Sequence, residues 1–220
     1  MANPYWPLFD LSIRTPTLEL RYPDDELATE VIAVAARGIH DPTTMPFGVP
    51  WTDEKPGVFE RKSMQHYWKM RAEHSADEWH IGFAILRDGE PIGMQAATAT
   101  NFGKTRVAST GSWLGQAFQG QGVGKEMRAA VLHFLFVGLG AHRCLSGAWH
   151  DNDRSLGVSR ALGYVENGEE ILMRREVADR QIRLLLAREE WEKQRRDDIE
   201  VIGLEGCIDM LIASEAKADS

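Results

Sequence analysis

The sequence predicts a single α/β (α+β) domain, built on a mixed, mostly antiparallel sheet with helices on both faces. Three observations predict it. Residues 79–114 read as three strand-like runs, broken by turns at Asp88-Gly89 and at Asn101-Phe102-Gly103-Lys104, which is the pattern of an antiparallel meander. Residues 106–149 run strand, glycine-rich turn, helix, strand, a crossover that makes its two strands parallel and right-handed. A length of 220 residues with 43% apolar content supports one substantial core with an appended arm.

Each element has its own signal. Thr17-Leu18-Glu19-Leu20-Arg21 alternates between Pro16 and Pro23 and is a short strand. Asp24-Asp25-Glu26 gives a negative first turn to a helix carrying Leu27, Val31, Ile32, Val34 and Ala35, which ends near Gly38. Pro42, Pro46, Pro50 and Pro56 with Gly48 and Gly57 exclude a regular element over 41–57. The resulting loop bears Phe47 and Trp51, which either wall a pocket or pin the loop to the core. Residues 59–76 read as a second helix. Strands follow at 79–86, 91–97 and 106–114.

The helix over 125–139 sets Met127, Ala130, Val131, Phe134 and Leu135 at i, i+3, i+4 spacing and stops at Gly138 and Gly140. His142 to Trp149 is the next strand. Asp151 or Asn152 caps a helix that runs through Leu162 and stops at Gly163. Tyr164-Val165-Glu166 opens another strand, and Arg180 to Ala187 is the last. Glu189 to Asp198 reads as a charged helix, and Ile199 to Ile212 as an apolar amphipathic segment expected to make an oligomer contact or cover a pocket. The expected division is a domain over 1–192 and a C-terminal helical extension and tail over 193–220.

A net charge of −8 argues against nucleic-acid or anionic-membrane partners, which need a surplus of Lys and Arg. Cys144 and Cys207 form neither a disulfide framework nor a metal spacing, and read as reduced packing residues. No metal is expected. Without a basic flank and apolar core at the N-terminus, or a run of about 18 apolar residues, the expected location is the cytoplasm.

The segment richest in chemistry is Gln119-Gly120-Gln121-Gly122-Val123-Gly124, between a strand and a helix. The first N–H groups of a helix lack internal partners and carry the positive dipole end, so they hold phosphates, and glycine lets the backbone come close. A Walker A loop ending at Gly124-Lys125 would need Gly at 119 and Ser or Thr at 126, where the chain has Gln119 and Glu126. The dinucleotide fingerprint needs a last gap one residue longer than the spacing of Gly120, Gly122 and Gly124.

Gln119, Gly122 and Gly124 match Gln/Arg-x-x-Gly-x-Gly/Ala, the pyrophosphate loop of the GNAT superfamily of acyl-CoA-dependent N-acyltransferases, and the chain resembles that superfamily over roughly residues 14–192. Gly111-Ser112-Trp113-Leu114 is similar to a strand-end motif of its RimJ/RimL-like branch. So are Asn152 and Ser155, in Asn-x-x-Ser, and Leu162-Gly163-Tyr164, which stands for Leu-Gly-Phe. The resemblance implies a sheet splayed between the fourth and fifth predicted strands, 106–114 and 142–149, with the pantetheine arm in the gap. It implies acyl-CoA contacts at Trp113, Leu114, Gln119, Gly120, Gln121, Gly122, Val123, Gly124, Lys125, Asn152 and Ser155.

Acyl transfer requires an amine to lose a proton, a carbonyl oxygen to become an oxyanion, and a thiolate to leave. By the resemblance, the backbone N–H of Leu114 or Gly115 supports the oxyanion. Ser155 donates to the sulfur in place of a Tyr seven residues after the Asn, a position held here by Ser159. His80, Glu78, His150 and Asp151 are all candidates for the base. The acyl group is acetyl by family default. Succinyl is the alternative, from similarity of 110–115 and 124–130 to a branch with that proposed donor, and Arg61, Lys62 or Arg71 could then meet its carboxylate. The acceptor is an amine on a protein N-terminus, a Lys or a small molecule. A non-catalytic acyl-CoA sensor is the reading from another class, and a homo-oligomer is expected.

Overall fold

The computed structural model describes residues 3–213. In chain order the elements are β1 (Ser12–Arg14), β2 (Glu19–Arg21), α1 (Asp25–Ala36), α2 (Val58–Ala72), β3 (Glu78–Arg87), β4 (Glu90–Thr100), α3 (Phe102–Thr105), β5 (Val107–Leu114), α4 (Val123–His133), β6 (Arg143–Trp149), α5 (Asp153–Ala161), β7 (Val165–Arg174), β8 (Val177–Ala187), α6 (Arg188–Glu192) and β9 (Glu200–Ile202). They build one sheet in the order β7-β8-β6-β5-β4-β3-β2-β1-β9. Its pairings are antiparallel except for β5 with β6. The predicted class holds, and the crossover through α4 supplies the single parallel pair.

Helices cover both faces because β3 and β4 are apolar on both. Phe83 and Ile85 share a core with Met127, Val131 and Phe134 of α4, while Ala84 and Leu86 share one with Val31 of α1 and Phe59 and Tyr67 of α2. α1 starts where its charges predict, with the Asp24 carboxylate accepting from the Leu27 N–H at 2.9 Å. Among the described residues no helix is long and apolar enough to cross a membrane.

The C-terminal region departs from expectation. The helix ends at Glu192, because Trp191 is the one residue of that stretch buried in the core, stacked on Phe136 at 4.8 Å. The charges that follow pair locally, as Arg196 does with Asp198 at 2.7 Å, and give no apolar face to hold a helix. Over 193–213 the expected extension holds no α-helix, only the short 3-10 turns Leu204–Gly206 and Ile208–Met210, and 214–220 lie outside the described residues. The apolar run from Ile199 has its partner within the same domain. β9 pairs with β1, the buried Trp79 indole donates to Leu211 O at 2.9 Å, and Leu204 lies where a Cβ at Gly138 would be, 2.8 Å away. No boundary falls at 192, since Ile199, Cys207 and Leu211 belong to the main core.

Candidate functional site

The parallel pair is short. β5 and β6 are in register only at Val107↔Arg143, Ala108↔Cys144 and Ser109↔Leu145, after which 110–114 and 146–149 diverge. β4 holds β5 along its length and β8 holds β6, so the expected splay is a rigid fork. The Gly115 N–H donates to Ile92 O at 3.0 Å, and the antiparallel alternation then turns the backbone groups of Thr110, Ser112 and Leu114 toward the gap. Thr110 O accepts from Ser146 Oγ at 3.3 Å and Leu114 O from Gln119 Nε2 at 2.9 Å. What faces the gap is the Leu114 N–H with both backbone groups of Ser112. Gly115 is thereby corrected as an oxyanion donor, since its N–H belongs to the sheet. Trp113 turns its backbone to β4 and its ring to the α2 face, 6.0 Å from Trp51, where it walls the site.

At the open end of the fork, Gly122 caps α4 at φ 82°, and Gly120 has φ 74°. A Cβ on either would meet nothing within 4 Å, so the space over the loop is open to a ligand. The Lys125 N–H already donates to Gly122 O at 3.1 Å, which confines the cradle to N–H groups of 120–124 and leaves Lys125 its ammonium. Gln119 braces the loop with its whole amide. Nε2 donates to Ile39 O at 2.6 Å and to Leu114 O, and Oε1 accepts from Arg154 at 2.9 Å. Gln121 is braced likewise, donating to Ala117 O at 2.7 Å and accepting from Arg87 at 3.1 Å.

The field around the loop is positive. Lys125, Arg87 and Arg154 have no carboxylate partner among the described residues, and the Glu126 carboxylate is drawn away by the hydroxyls of Thr15 and Thr17 at 2.5 and 2.8 Å. Sequence reasoning missed both arginines. Arg154 stands inside the run that holds Asn152 and Ser155 and was open to notice; Arg87 reaches the loop only through the β3–β4 hairpin.

Across the fork, Asn152 is the N-cap of α5, its Oδ1 accepting from the Ser155 N–H at 3.1 Å. Because Asn152 does the capping, the Ser155 hydroxyl has no hydrogen-bond partner among the described residues and stays available. Ser159 is fully buried and donates to Ser155 O at 3.0 Å, a structural role. Asn152 and Ser155 follow the end of β6, Leu114 ends β5 and the glycine loop follows it, so these predicted site residues gather at the fork's open end.

The loop over 41–57 closes the α2 face. Phe47, Trp51 and Phe59 form an aromatic stack, and the tip of the β7–β8 hairpin clamps the loop from outside. Arg174 donates to Met45 O at 2.7 Å, and Arg175 to both Asp53 oxygens at 2.8 and 2.9 Å. Two base candidates are committed to that clamp: Asp151 accepts from Arg174 at 2.9 Å, and His150 pairs with Asp179 at 3.1 Å. The other two, His80 and Glu78, line a cleft of about 830 Å³ between α2 and the lower ends of β3–β5, together with Ser109, the last paired residue before the fork.

His80 is edge-on to His66 at 5.7 Å, and burial first, then His66, pulls its pKa down from 6.5 to about 4. It is neutral at pH 7 and able to accept a hydrogen bond or proton. The folded protein therefore binds fewer protons here than the unfolded chain between pH 6.5 and about 4, so stability is full above that window and falls through it by on the order of 3 kcal/mol. His80→Gln is expected to show a shallower acid limb in urea midpoints measured from pH 7 to 4.5; an unchanged limb refutes the shift.

A family model described as an acetyltransferase (GNAT) domain matches residues 17–165. Among solved structures, Mycobacterium smegmatis RimJ in complex with CoA-disulfide superposes with a TM-score of 0.67 at 17% identity, covering 92% of this chain and 95% of that one. The ribosomal-protein-S5-alanine acetyltransferase of Vibrio fischeri gives 0.64 at 17% identity, over 82% and 98%. A spermidine N-acetyltransferase SpeG chimera from Vibrio cholerae and hSSAT gives 0.63 at 14% identity, over 80% and 98%. At such identities the superpositions speak to the fold. Neighbours named for a ribosomal protein and for spermidine share it, so the fold alone does not choose an acceptor.

Proposed function

The chain belongs to the GNAT acetyltransferase family, and from that premise we propose that it moves an acyl group from acyl-CoA to a primary amine by direct attack in a ternary complex. The observation that carries the reading is the convergence of an unpaired strand edge, an open anion cradle and an unpartnered serine hydroxyl at one fork. A pantetheine amide completes the edge at Ser112, and the pyrophosphate lies on the N–H groups of 120–124 near Lys125, Arg87 and Arg154.

The amine nitrogen attacks the thioester carbon after losing a proton to solvent, since His80 stands level with Ser109, five residues along the sheet from Leu114 and out of direct reach. The Leu114 N–H supports the oxyanion, the C–S bond breaks, and the Ser155 hydroxyl donates to the departing sulfur. Motifs 111–114 and 152–164 support the RimJ/RimL-like branch. The acyl group is acetyl by family default, and succinyl is the second reading. The acceptor classes are a protein N-terminus, a Lys or a small amine. The cytoplasm belongs to the same reading. A homo-oligomer is supported by exposed Val165, Ile171, Met173 and Val177 on the hairpin at the free sheet edge.

Thermal shift with CoA esters and thiol release against an amine panel test the proposal. Stabilisation with turnover is expected. Stabilisation without turnover on any amine would make the chain a sensor, and no stabilisation by any ester removes the reading. Ser155→Ala is expected to lower kcat by about tenfold to a hundredfold while changing CoA affinity by less than about threefold. Unchanged kcat would take Ser155 out of the mechanism.

A further inference from the structure

One side chain joins the anion cradle to the root of the loop over 41–57. Gln119 opens the glycine turn, and its amide is fully engaged: Nε2 donates to Ile39 O at 2.6 Å and to Leu114 O at 2.9 Å, and Oε1 accepts from Arg154 at 2.9 Å. A guanidinium only donates, so the amide oxygen must face Arg154, and the NH2 then has two hydrogens for two carbonyls. No donor of that amide is left for a phosphate. The motif residue expected from sequence to touch acyl-CoA is turned instead to backbone on two other segments.

Ile39 is buried, and beside it the Gln116 N–H donates to Gly38 O at 3.1 Å. The next residue, His40, holds the loop from within, with Nε2 2.7 Å from Thr52 Oγ1 and its ring edge-on to Phe47 at 5.7 Å. Phe47 packs on Trp51 at 5.2 Å and Trp51 on Trp113 at 6.0 Å, and Trp113 precedes Leu114, the second acceptor of Gln119. These contacts close a ring that starts and ends at Gln119. The loop's own backbone bonds are local, such as the Thr44 N–H to Asp41 O at 2.9 Å and the Asp53 N–H to Pro50 O at 3.1 Å. From outside, side chains hold its carbonyls: Arg175 at Pro42 O, Arg174 at Met45 O and Trp149 at Phe47 O. A segment held this way opens at a lower free energy than the sheet beneath it, so one strut can shift its equilibrium. Of these struts, Gln119 is the one seated in the cradle.

We propose that Gln119 is a positioning residue that couples the two halves of the site: an occupied cradle stiffens the loop over 41–57 through Ile39 O, and the Gln119 side chain itself does not hold the ligand. The inference rests on the acyl-CoA reading. A pyrophosphate on the N–H groups of 120–124 fixes the turn whose glycines stand at φ 74° and 82°, and so fixes the residue that precedes them. The amide plane then keeps Ile39 O and Leu114 O in one arrangement, and ordering of the loop that CoA has brought about need not be supplied by the second substrate.

The test is hydrogen exchange of peptides covering 39–57, with and without CoA, in the wild-type protein and in Gln119→Leu, Gln119→Asn and Gln119→Arg, at occupancies matched from calorimetric Kd values. CoA is expected to slow wild-type exchange in these peptides by at least about fivefold, and by less than about twofold in the Leu variant, which has no donor, and the Asn variant, which is one methylene short. Gln119→Arg brings donors back to the two carbonyls and is expected to recover most of the protection. Equal protection in the Leu and Asn variants overturns the proposal, because Gln119 would then only shape the turn. Folded Leu and Asn variants that bind no CoA also overturn it, by making Gln119 part of the CoA site. So does a wild-type loop whose exchange is unchanged by bound CoA, which needs no variant to fold. Absence of CoA binding to the wild-type protein is a different result, and brings down the acyl-CoA reading itself.

Discussion

Gly122→Asp is expected to abolish CoA binding, weakening it by more than about a hundredfold in calorimetric titration while the protein still folds. Two physical effects act together. Gly122 caps α4 at φ 82°, a conformation that an Asp side chain adopts at modest strain, and its Cβ would project into open space, so no core contact is lost. The carboxylate then stands where the pyrophosphate should lie, on the positive end of α4, and takes up the same N–H groups. Gly122→Ala brings the strain without the charge and is expected to weaken binding by only about tenfold or less. Equal losses in the two variants would mean that backbone shape, rather than the cradle's charge, decides. Full CoA affinity in a folded Gly122→Asp protein would move the pyrophosphate elsewhere.

Arg174→Met is expected to lower Tm by about 5 °C and to raise KM for the acceptor more than for CoA. Arg174 lies at the end of β7 with its side chain 14% exposed, its Cζ 5.2 Å from the Trp149 ring centre. It holds Asp151 and Asp179 at 2.9 Å and Met45 O at 2.7 Å, which joins the hairpin, the start of the α5 turn and the loop over 41–57. Removing it leaves two carboxylates side by side and unlatches the loop. Arg174→Lys should not rescue, because an ammonium cannot reproduce the fork or the stacking on Trp149.

The Asp179 carboxyl is held below the ordinary carboxylate range, first by Arg174. Its stabilisation is therefore complete at neutral pH and lost as pH falls through the lowered value, and Arg174→Met should lose that acid-side dependence. Acceptor KM and CoA KM that rise equally would argue against a loop confined to the acceptor side.

The parts legible in the sequence were those whose signals are local. The acidic start of α1, the Asp88-Gly89 turn, the glycine-rich turn into α4 and the Asn152 start of α5 each depend on residues within a few positions, and each stands where the sequence puts it. The fork was legible only through resemblance, because divergence of two strands is a relation between segments some 35 residues apart. β1 and β9 were missed for a similar reason: three residues carry no period, and their pairing across almost the whole chain makes them strands.

By itself the sequence determined the fold class, the order of the main elements from β2 to β8 and the glycine-rich turn that opens α4, since backbone propensity, apolar period and glycine placement are written residue by residue. The tertiary structure decided which side chains were left over. Gln119 is used up in bracing the loop, and Gly115 gives its N–H to the sheet. His150 and Asp151 are held by the Arg174 clamp, while Ser155 and His80 keep groups to offer. Hydrogen-bond capacity is finite, and only the folded chain shows where each donor, acceptor and charge has already found a partner.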